Sequence, residues 1–407
     1  MFDLDGTLFK SEGVSVPAIQ KSLIDLNLEI PSNEKITSLF GDKMEEICKS
    51  LAPGSSLETR KNLTEKIRFY ESLLIPEKAK LYDGVKKTLN ELISLGYTLA
   101  LCSNGYEDYL YLILKTLGIS GLFKYIKGKH PIKNKGKVIK DILIGSDISF
   151  AIVVGDRFHD INAARENNLP SIGVTYGYGG NEALKADFIA NRPEEILRLV
   201  NRCYIFARIE KEIFNSLIKG PIIIGVDGMD LSGKKEFSNL LSKYLESRGY
   251  KTALIHLDDF HNPEKNRYKG KDEIESYINK SFNLELLIEE ILNPLKKGES
   301  IHKELNLFDL ESNEFRKNYC IDKKTIVILE GASLYREPIN ESFDYRIYLD
   351  IDFKGTVKRG KESGEFFEKK CTPIQKWYIK NHLPKGKSNI VIDNTDFDRP
   401  IIKKFTP

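Results

Sequence analysis

Apolar residues fall along this chain in short, β-rich runs separated by stretches with helical spacing. "TLALCS" (Thr98–Ser103), "FAIVVGD" (Phe150–Asp156) and "SIGV" (Ser171–Val174) form one set of runs. A second set is "PIIIGVD" (Pro221–Asp227), "ALIHLDD" (Ala253–Asp259), "TIVILEG" (Thr325–Gly331), "YRIYLDI" (Tyr345–Ile351) and "NIVID" (Asn389–Asp393). Runs so short and so evenly apolar predict strands buried on both faces of a parallel sheet. Their alternation with helical patterns predicts crossover units, and hence an α/β fold of two doubly wound sheets.

The two sets are separated by "PEEILRLVNRCYIFARIEKEIFNSLIKG", a largely helical connector ending at Gly220. At 407 residues the chain is too long for a single core. We place the boundary near residue 205, giving domains 1–205 and 206–407. Between Ser11 and Leu81 strand signals are missing and helical spacing takes over (Leu23, Leu26, Leu28; Ile67, Tyr70, Leu74). That segment, about 11–81, is expected to be a helical insertion in the first domain.

Composition narrows the picture only modestly. Hydrophobic residues make up 41% and charged residues 30%, with 62 basic and 59 acidic side chains and a net charge of +3. This balance argues against a polyanion binder, and the lysine-rich stretch Lys124–Lys140 is expected to be a solvated loop and helix face rather than a nucleic-acid patch. The five cysteines form no C-x-x-C pair, so neither a disulfide framework nor a zinc site is expected. No apolar run is long enough to cross a bilayer. A cytoplasmic protein is the expectation.

Candidate chemistry sits at the ends of the apolar runs. "MFDLDGTLF" sets Asp3 and Asp5 two residues apart, which on a strand end points both carboxylates to one side. Asp156 ends "AIVVGD", and Asp160 follows one helical turn later. Carboxylates converging at a strand end repel one another unless a hard cation sits among them, and Mg²⁺ takes oxygen ligands. A carboxylate can also attack phosphorus.

With "LCSNG", a downstream lysine and "VVGDRFHDINAARENNLPSIGVTYGYG", these segments resemble, in order, the four motifs of the haloacid dehalogenase phosphatase superfamily, in its phosphoglycolate-phosphatase-like branch. The resemblance spans roughly the first two hundred residues. It implies a nucleophile at Asp3, a general acid/base at Asp5, and Ser103 on the transferring phosphoryl group. It implies Mg²⁺ held by Asp3, Asp156 and the backbone carbonyl of Asp5, supported by Asp160. The motif lysine is one of Lys133, Lys135 and Lys137. Lys135 is favoured because "KGKVIKDIL" starts a helix there, where the family's lysine sits. Residues 11–81 would be the cap over a small phosphorylated metabolite.

In the second half "GMDLSGKK" (Gly228–Lys235) falls one residue short of the phosphate-loop pattern G-x-x-x-x-G-K-[ST]. A β-rich run precedes it, and Phe237, Leu240, Leu241, Tyr244 and Leu245 behind it mark one apolar helical face. Lysine at 235 cannot ligate Mg²⁺ as a hydroxyl does, because an ammonium offers donors only. The loop amides and the helix N-terminus still attract phosphate. Together with "LDDFHNP", "LEG" and "VIDNTD", the segment from about Pro221 to Pro400 resembles the uridine kinase and phosphoribulokinase-like branch of P-loop kinases. That resemblance implies ATP held by Gly228, Ser232, Gly233, Lys234, Lys235 and a lid residue, Arg359. It implies Asp258 as the base for an acceptor hydroxyl, Glu330 on Mg²⁺ through water, and His261, Arg267 and Tyr268 near the acceptor. The reading is thus a phosphatase joined to a kinase-like domain. The alternative is a phosphatase joined to a degenerate, non-catalytic nucleotide-binding module.

Overall fold

A computed structural model describes the chain except residues 131, 147, 149, 218–220, 264–266, 268–272, 310–312, 353–371 and 407. It divides into two compact units, Met1–Val200 and Asn201–Pro407.

The first unit carries five parallel strands: β1 (Ala100–Cys102), β2 (Tyr125–Lys127), β3 (Val153–Gly155), β4 (Ser171–Val174) and β5 (Phe188–Ala190). β1 pairs with β2, and β3, β4 and β5 form a second ladder. The first residues of the chain join the two. Phe2 bridges Leu101 on one side and Val154 on the other, both in parallel. Phe2 N donates to Ala100 O at 2.8 Å, and Asp3 N donates to Val154 O at 2.9 Å. Asp3 therefore stands at the carboxyl end of the middle of the sheet, the position where open α/β sheets place their ligands.

Helices α1 (Glu12–Asp25), α2 (Asn33–Thr37), α3 (Met44–Leu51) and α4 (Leu57–Lys78) fill the segment between Asp5 and β1, with α5 (Val85–Ser94) after them. The first four have their own core, in which Ile19, Leu23, Ile36, Ile47, Leu63 and Ile67 are buried together. These helices occupy the segment read from sequence as a helical insertion. α6 (Glu107–Thr116), α7 (Lys135–Gly145) and α8 (Phe158–Glu166) are the crossovers of the sheet. α9 (Pro193–Leu217) runs through the point where one unit passes into the next.

Among the described residues the second unit has a six-stranded sheet in the order β13-β12-β11-β6-β10-β7. They are β6 (Ile222–Gly228), β7 (Lys251–His256), β10 (Thr325–Glu330), β11 (Tyr345–Asp350), β12 (Ile390–Asp393) and β13 (Ile401–Phe405). All neighbours are parallel except β13, which is antiparallel to β12. β6, β10 and the first three residues of β12 are wholly buried, as their continuous apolar runs require. α10 (Lys234–Ser247) follows β6 and buries Phe237, Leu241, Tyr244 and Leu245. A separate antiparallel hairpin, β8 (Ile301–Asp309) and β9 (Asn313–Ile321), was not expected from the apolar runs. The run Ala253–Asp259 is also not a strand to its end. It begins at Lys251 and stops at His256, and Leu257–Asp259 turn into a 3-10 helix that lifts Asp258 and Asp259 off the sheet edge.

Candidate active site

In the first unit Asp3, Asp156 and Asp160 converge, with one carboxylate oxygen of each lying within 4.8 Å of the others, and all three are buried. Each arrives by a different route. Asp3 ends the central strand. Asp156 follows β3, where its Oδ2 accepts the backbone N–H of Tyr178 at 2.7 Å and of Gly179 at 3.0 Å, and its Oδ1 accepts Thr7 Oγ1 at 3.3 Å. Asp160 lies in the first turn of α8, where its Oδ2 accepts the Arg157 N–H at 3.1 Å and so caps the helix. Gly6 makes the approach possible. It adopts φ +77°, and a Cβ there would lie 2.4 Å from Asp156 Oδ2.

Of the three candidate lysines, Lys135 reaches this cluster. Its Nζ donates to Asp3 Oδ1 at 2.6 Å and to Asp160 Oδ1 at 2.5 Å. Lys133 pairs with Asp141 on the surface, and Lys137 is exposed. Burial alone would lower the Lys135 pKa, but the charges of Asp160 and Asp3 outweigh it and drive it upward. Burial pushes Asp3 well above its ordinary range, with Lys135 opposing and Asp160 and Asp156 adding to the rise. Asp156 is pushed to about 7 by burial and then by Asp160. Three carboxyl groups and one ammonium share this buried space. That donor set fits a divalent cation with oxygen ligands.

Asp5 faces the other way, into a narrow cavity of about 60 Å³. Its Oδ1 accepts Ser11 Oγ at 2.6 Å and Tyr109 OH at 2.9 Å. Burial raises its pKa, against both hydrogen bonds. The Asp5 side chain is thus outside the carboxylate cluster. Ser103, one residue beyond β1, lines the same cavity and accepts the Gly105 N–H at 3.2 Å.

The helical insertion contributes Ser15 and Glu71 to this cavity, two residues that the sequence reading passed over. Ser15 Oγ donates to Glu71 Oε1 at 2.7 Å. A signal for Glu71 was available. It lies four residues from both Ile67 and Ile75 on one face of α4, so a carboxylate interrupts a buried apolar stripe.

In the second unit the loop after β6 is closed on itself. Lys234 Nζ donates to Met229 O at 2.9 Å and Gly228 O at 3.2 Å. Ser232 is buried, and its carbonyl accepts Asn394 Nδ2 at 2.7 Å. A Cβ on Gly228 would lie 2.6 Å from Leu349 O, and one on Gly233, at φ +84°, 2.8 Å from the Phe397 ring. Both glycines are therefore demanded by the walls of the loop itself. Lys235 is exposed. Asp227, missed as a site residue, is fully buried under the loop and accepts Tyr378 OH at 2.5 Å and Ser333 N–H at 3.0 Å.

Asp258 and Glu330 come to the same end of the sheet. The Asp258 side chain is largely open to solvent, yet the surrounding protein, and then the charge of Glu330, push its pKa up while Lys234 opposes. Glu330 is buried and sits 2.8 Å from His256 Nδ1. His261 is buried and stacks on Phe282, with its Nε2 3.7 Å from Asp258 Oδ1. Arg267 donates to Asn262 O at 2.6 Å. Arg359 and Tyr268 lie outside the described residues.

Residues 1–174 match the haloacid dehalogenase-like hydrolases, and residues 223–358 match the phosphoribulokinase/uridine kinase family. A phosphoglycolate phosphatase of Vibrio parahaemolyticus is 30% identical over 215 residues, which cover 49% of this chain and 94% of that protein. A phosphoglycolate phosphatase of Agrobacterium fabrum is 29% identical over 190 residues, covering 44% and 80%. Among solved structures, a possible uridine kinase from Bacillus stearothermophilus is 24% identical over 42% of this chain and 88% of its own, at a TM-score of 0.36.

Proposed function

Because the chain belongs to the haloacid dehalogenase-like hydrolases, we propose that its first unit hydrolyses a phosphate monoester of a small metabolite, with Asp3 as nucleophile. The observation that carries this reading is the buried convergence of Asp3, Asp156 and Asp160 around Lys135. Asp3 attacks phosphorus to form an aspartyl phosphate. Asp5, whose pKa is raised, protonates the departing oxygen, then takes a proton from the water that cleaves the acyl phosphate. Lys135 and Ser103 hold the phosphoryl oxygens. Mg²⁺ would be held by Asp3, Asp156 and the carbonyl of Asp5, with Asp160 in support, and when bound supplies positive charge against the phosphoryl group. The test is turnover of phosphate monoesters with Mg²⁺ by the purified chain, and its loss on chelation. No Mg²⁺-dependent turnover of any monoester would refute the reading.

For the second unit we propose binding of a nucleoside triphosphate such as ATP at Gly228–Lys235. The loop amides and the α10 N-terminus would receive the phosphates, and Lys234 would turn from its own loop carbonyls to them. Once nucleotide is bound, two readings of the chemistry remain. In one, Asp258 deprotonates an acceptor hydroxyl and Glu330 holds Mg²⁺ through water. In the other, the unit binds nucleotide without transferring phosphate, a reading favoured by the exposed Lys235 where a metal-binding hydroxyl would sit. Release of ADP dependent on a small acceptor separates them. Among the described residues no helix is long and apolar enough to cross a membrane. Among the described residues Cys48, Cys102 and Cys320 form no disulfide, which suits the reducing, cytoplasmic setting proposed for the chain.

A further inference from the structure

The cavity beside Asp5 is where the departing group of the ester must sit, since Asp5 and Ser103 both line it. Among its lining residues there is no lysine, arginine or histidine. The cations nearby are already engaged. Arg157 donates to Glu182 Oε2 at 2.8 Å and lies 3.5 Å from Asp42 Oδ1, and His159 lies 3.1 Å from the same oxygen. Lys129 pairs with Glu45, Arg68 with Asp108, and Lys135 with Asp3 and Asp160. What the cavity presents instead is the carboxyls of Asp5, Asp42 and Glu71 and the hydroxyls of Ser11, Ser15, Ser103, Tyr106 and Tyr109, with the Asn104 amide, whose Nδ2 donates to Gly41 O at 2.9 Å. Ser11 and Tyr109 both spend their protons on Asp5, and Ser15 spends its proton on Glu71. The rest of the wall is apolar, with Ile19, Phe40, Met44 and Ile47.

A carboxylate placed here would find no balancing cation among the lining residues, and a buried unpaired charge is costly even where hydroxyls can donate to it. An alcohol bearing further hydroxyls would find acceptors for its protons and apolar atoms for its carbons. An ammonium gains little. Asp42 already faces the Arg157 guanidinium at 3.5 Å, and burial holds Glu71 at about 8, so that it is largely protonated at neutral pH. We propose, on the premise that the first unit is a phosphatase, that its substrate is the phosphate ester of an uncharged polyhydroxylated alcohol. The glycolate ester named for the relatives would be disfavoured.

The test uses the full chain with Mg²⁺ and four esters: glycerol phosphate and a hexose monophosphate as polyol esters, phosphoglycolate, and phosphoethanolamine. p-Nitrophenyl phosphate serves as a general reporter of phosphatase turnover. The expected result is a kcat/KM for one or both polyol esters at least about tenfold above that for phosphoglycolate and for phosphoethanolamine, the scale of discrimination expected when a charge goes unmatched. Glu71→Lys, which introduces a cation, should shift the ratio toward phosphoglycolate by about tenfold. Phosphoglycolate or phosphoethanolamine turned over as well as both polyol esters by the native chain would overturn the proposal, whatever the variant does. No turnover of p-nitrophenyl phosphate or any other ester would overturn the phosphatase reading beneath it, which makes the two failures distinguishable.

Discussion

The two sites proposed for this chain are built in opposite ways. The cluster in the first unit draws Asp3, Lys135 and the pair Asp156 and Asp160 from three separate segments, and its groups stand close together and buried before any ligand arrives. The loop in the second unit comes from eight contiguous residues, and its one positioned cation, Lys234, is spent on the carbonyls of its own loop. The difference teaches what each site must do on binding. The first gathers three buried carboxyl groups, whose ionised forms gain by taking a cation. The second must break two internal hydrogen bonds before Lys234 can reach a phosphate.

The comparison can be broken first at the cluster. Asp3→Asn should reduce phosphatase turnover by about 10³-fold or more, since a neutral amide cannot attack phosphorus. The fold should persist, because the strand is held by the backbone bonds of Phe2 and Asp3. Steady-state assays beside a melting curve check both halves of that expectation. Asp156→Asn should instead act through the cation. Its turnover should fall and recover in part at high Mg²⁺, whereas Asp3→Asn should not recover, and a titration of rate against Mg²⁺ separates the two.

At the loop a smaller effect is expected. Lys234→Ala should weaken ATP binding by on the order of 1.5–3 kcal/mol, the range for hydrogen bonds to charged groups, reduced by whatever its two internal bonds now contribute. Calorimetry on the full chain gives the number. Unchanged affinity would mean that Lys234 never leaves its carbonyls.

Glu71 allows a finer comparison, through pH. Its pKa is about 8 in the folded chain against an ordinary 4.5. Between those values the unfolded chain has released a proton that the folded chain keeps. Stability therefore falls as pH rises from about 4.5 to 8, and is level on either side, as far as this group is concerned. At about 1.4 kcal/mol per pKa unit, a rise from 4.5 to about 8 corresponds to a loss of at most about 5 kcal/mol. Glu71→Gln should remove this slope, so that its melting temperature gains on the native chain by a few degrees between pH 5 and pH 8 and by nothing below pH 4.5. Parallel pH–stability curves for the two proteins would refute the assignment of Glu71 as a buried, protonated carboxyl.

Much of this was legible in the sequence because both sites lie at the ends of apolar runs. Ser103, Asp156 and the Gly228–Lys235 loop lie at the ends of apolar runs that point at them, whereas Asp3 and Asp5 stand out by their two-residue spacing and the resemblance it carries. The elements missed are those whose burial comes from elsewhere. β2 (Tyr125–Lys127) is an edge strand with no fully buried residue, and β5 (Phe188–Ala190) has three residues, too few for a pattern. The β8–β9 hairpin carries charged residues on its open face that mask an alternation of Ile301, Leu305 and Leu307. Glu71 and Tyr378 were missed for a related reason. Each lies on a helix far along the chain from the groups it serves, and only the packing of that helix brings it to the site.

The central claim is that Asp3 is the nucleophile of the first unit. Rapid quenching of the full chain during turnover, borohydride reduction of any acyl phosphate and peptide mass spectrometry test it directly. The account predicts reduction at Asp3 and at no other carboxylate, dependent on substrate and Mg²⁺ and lost in Asp3→Asn. Turnover with no trapped acyl phosphate, or label on Asp5 or Asp156 in place of Asp3, would contradict it.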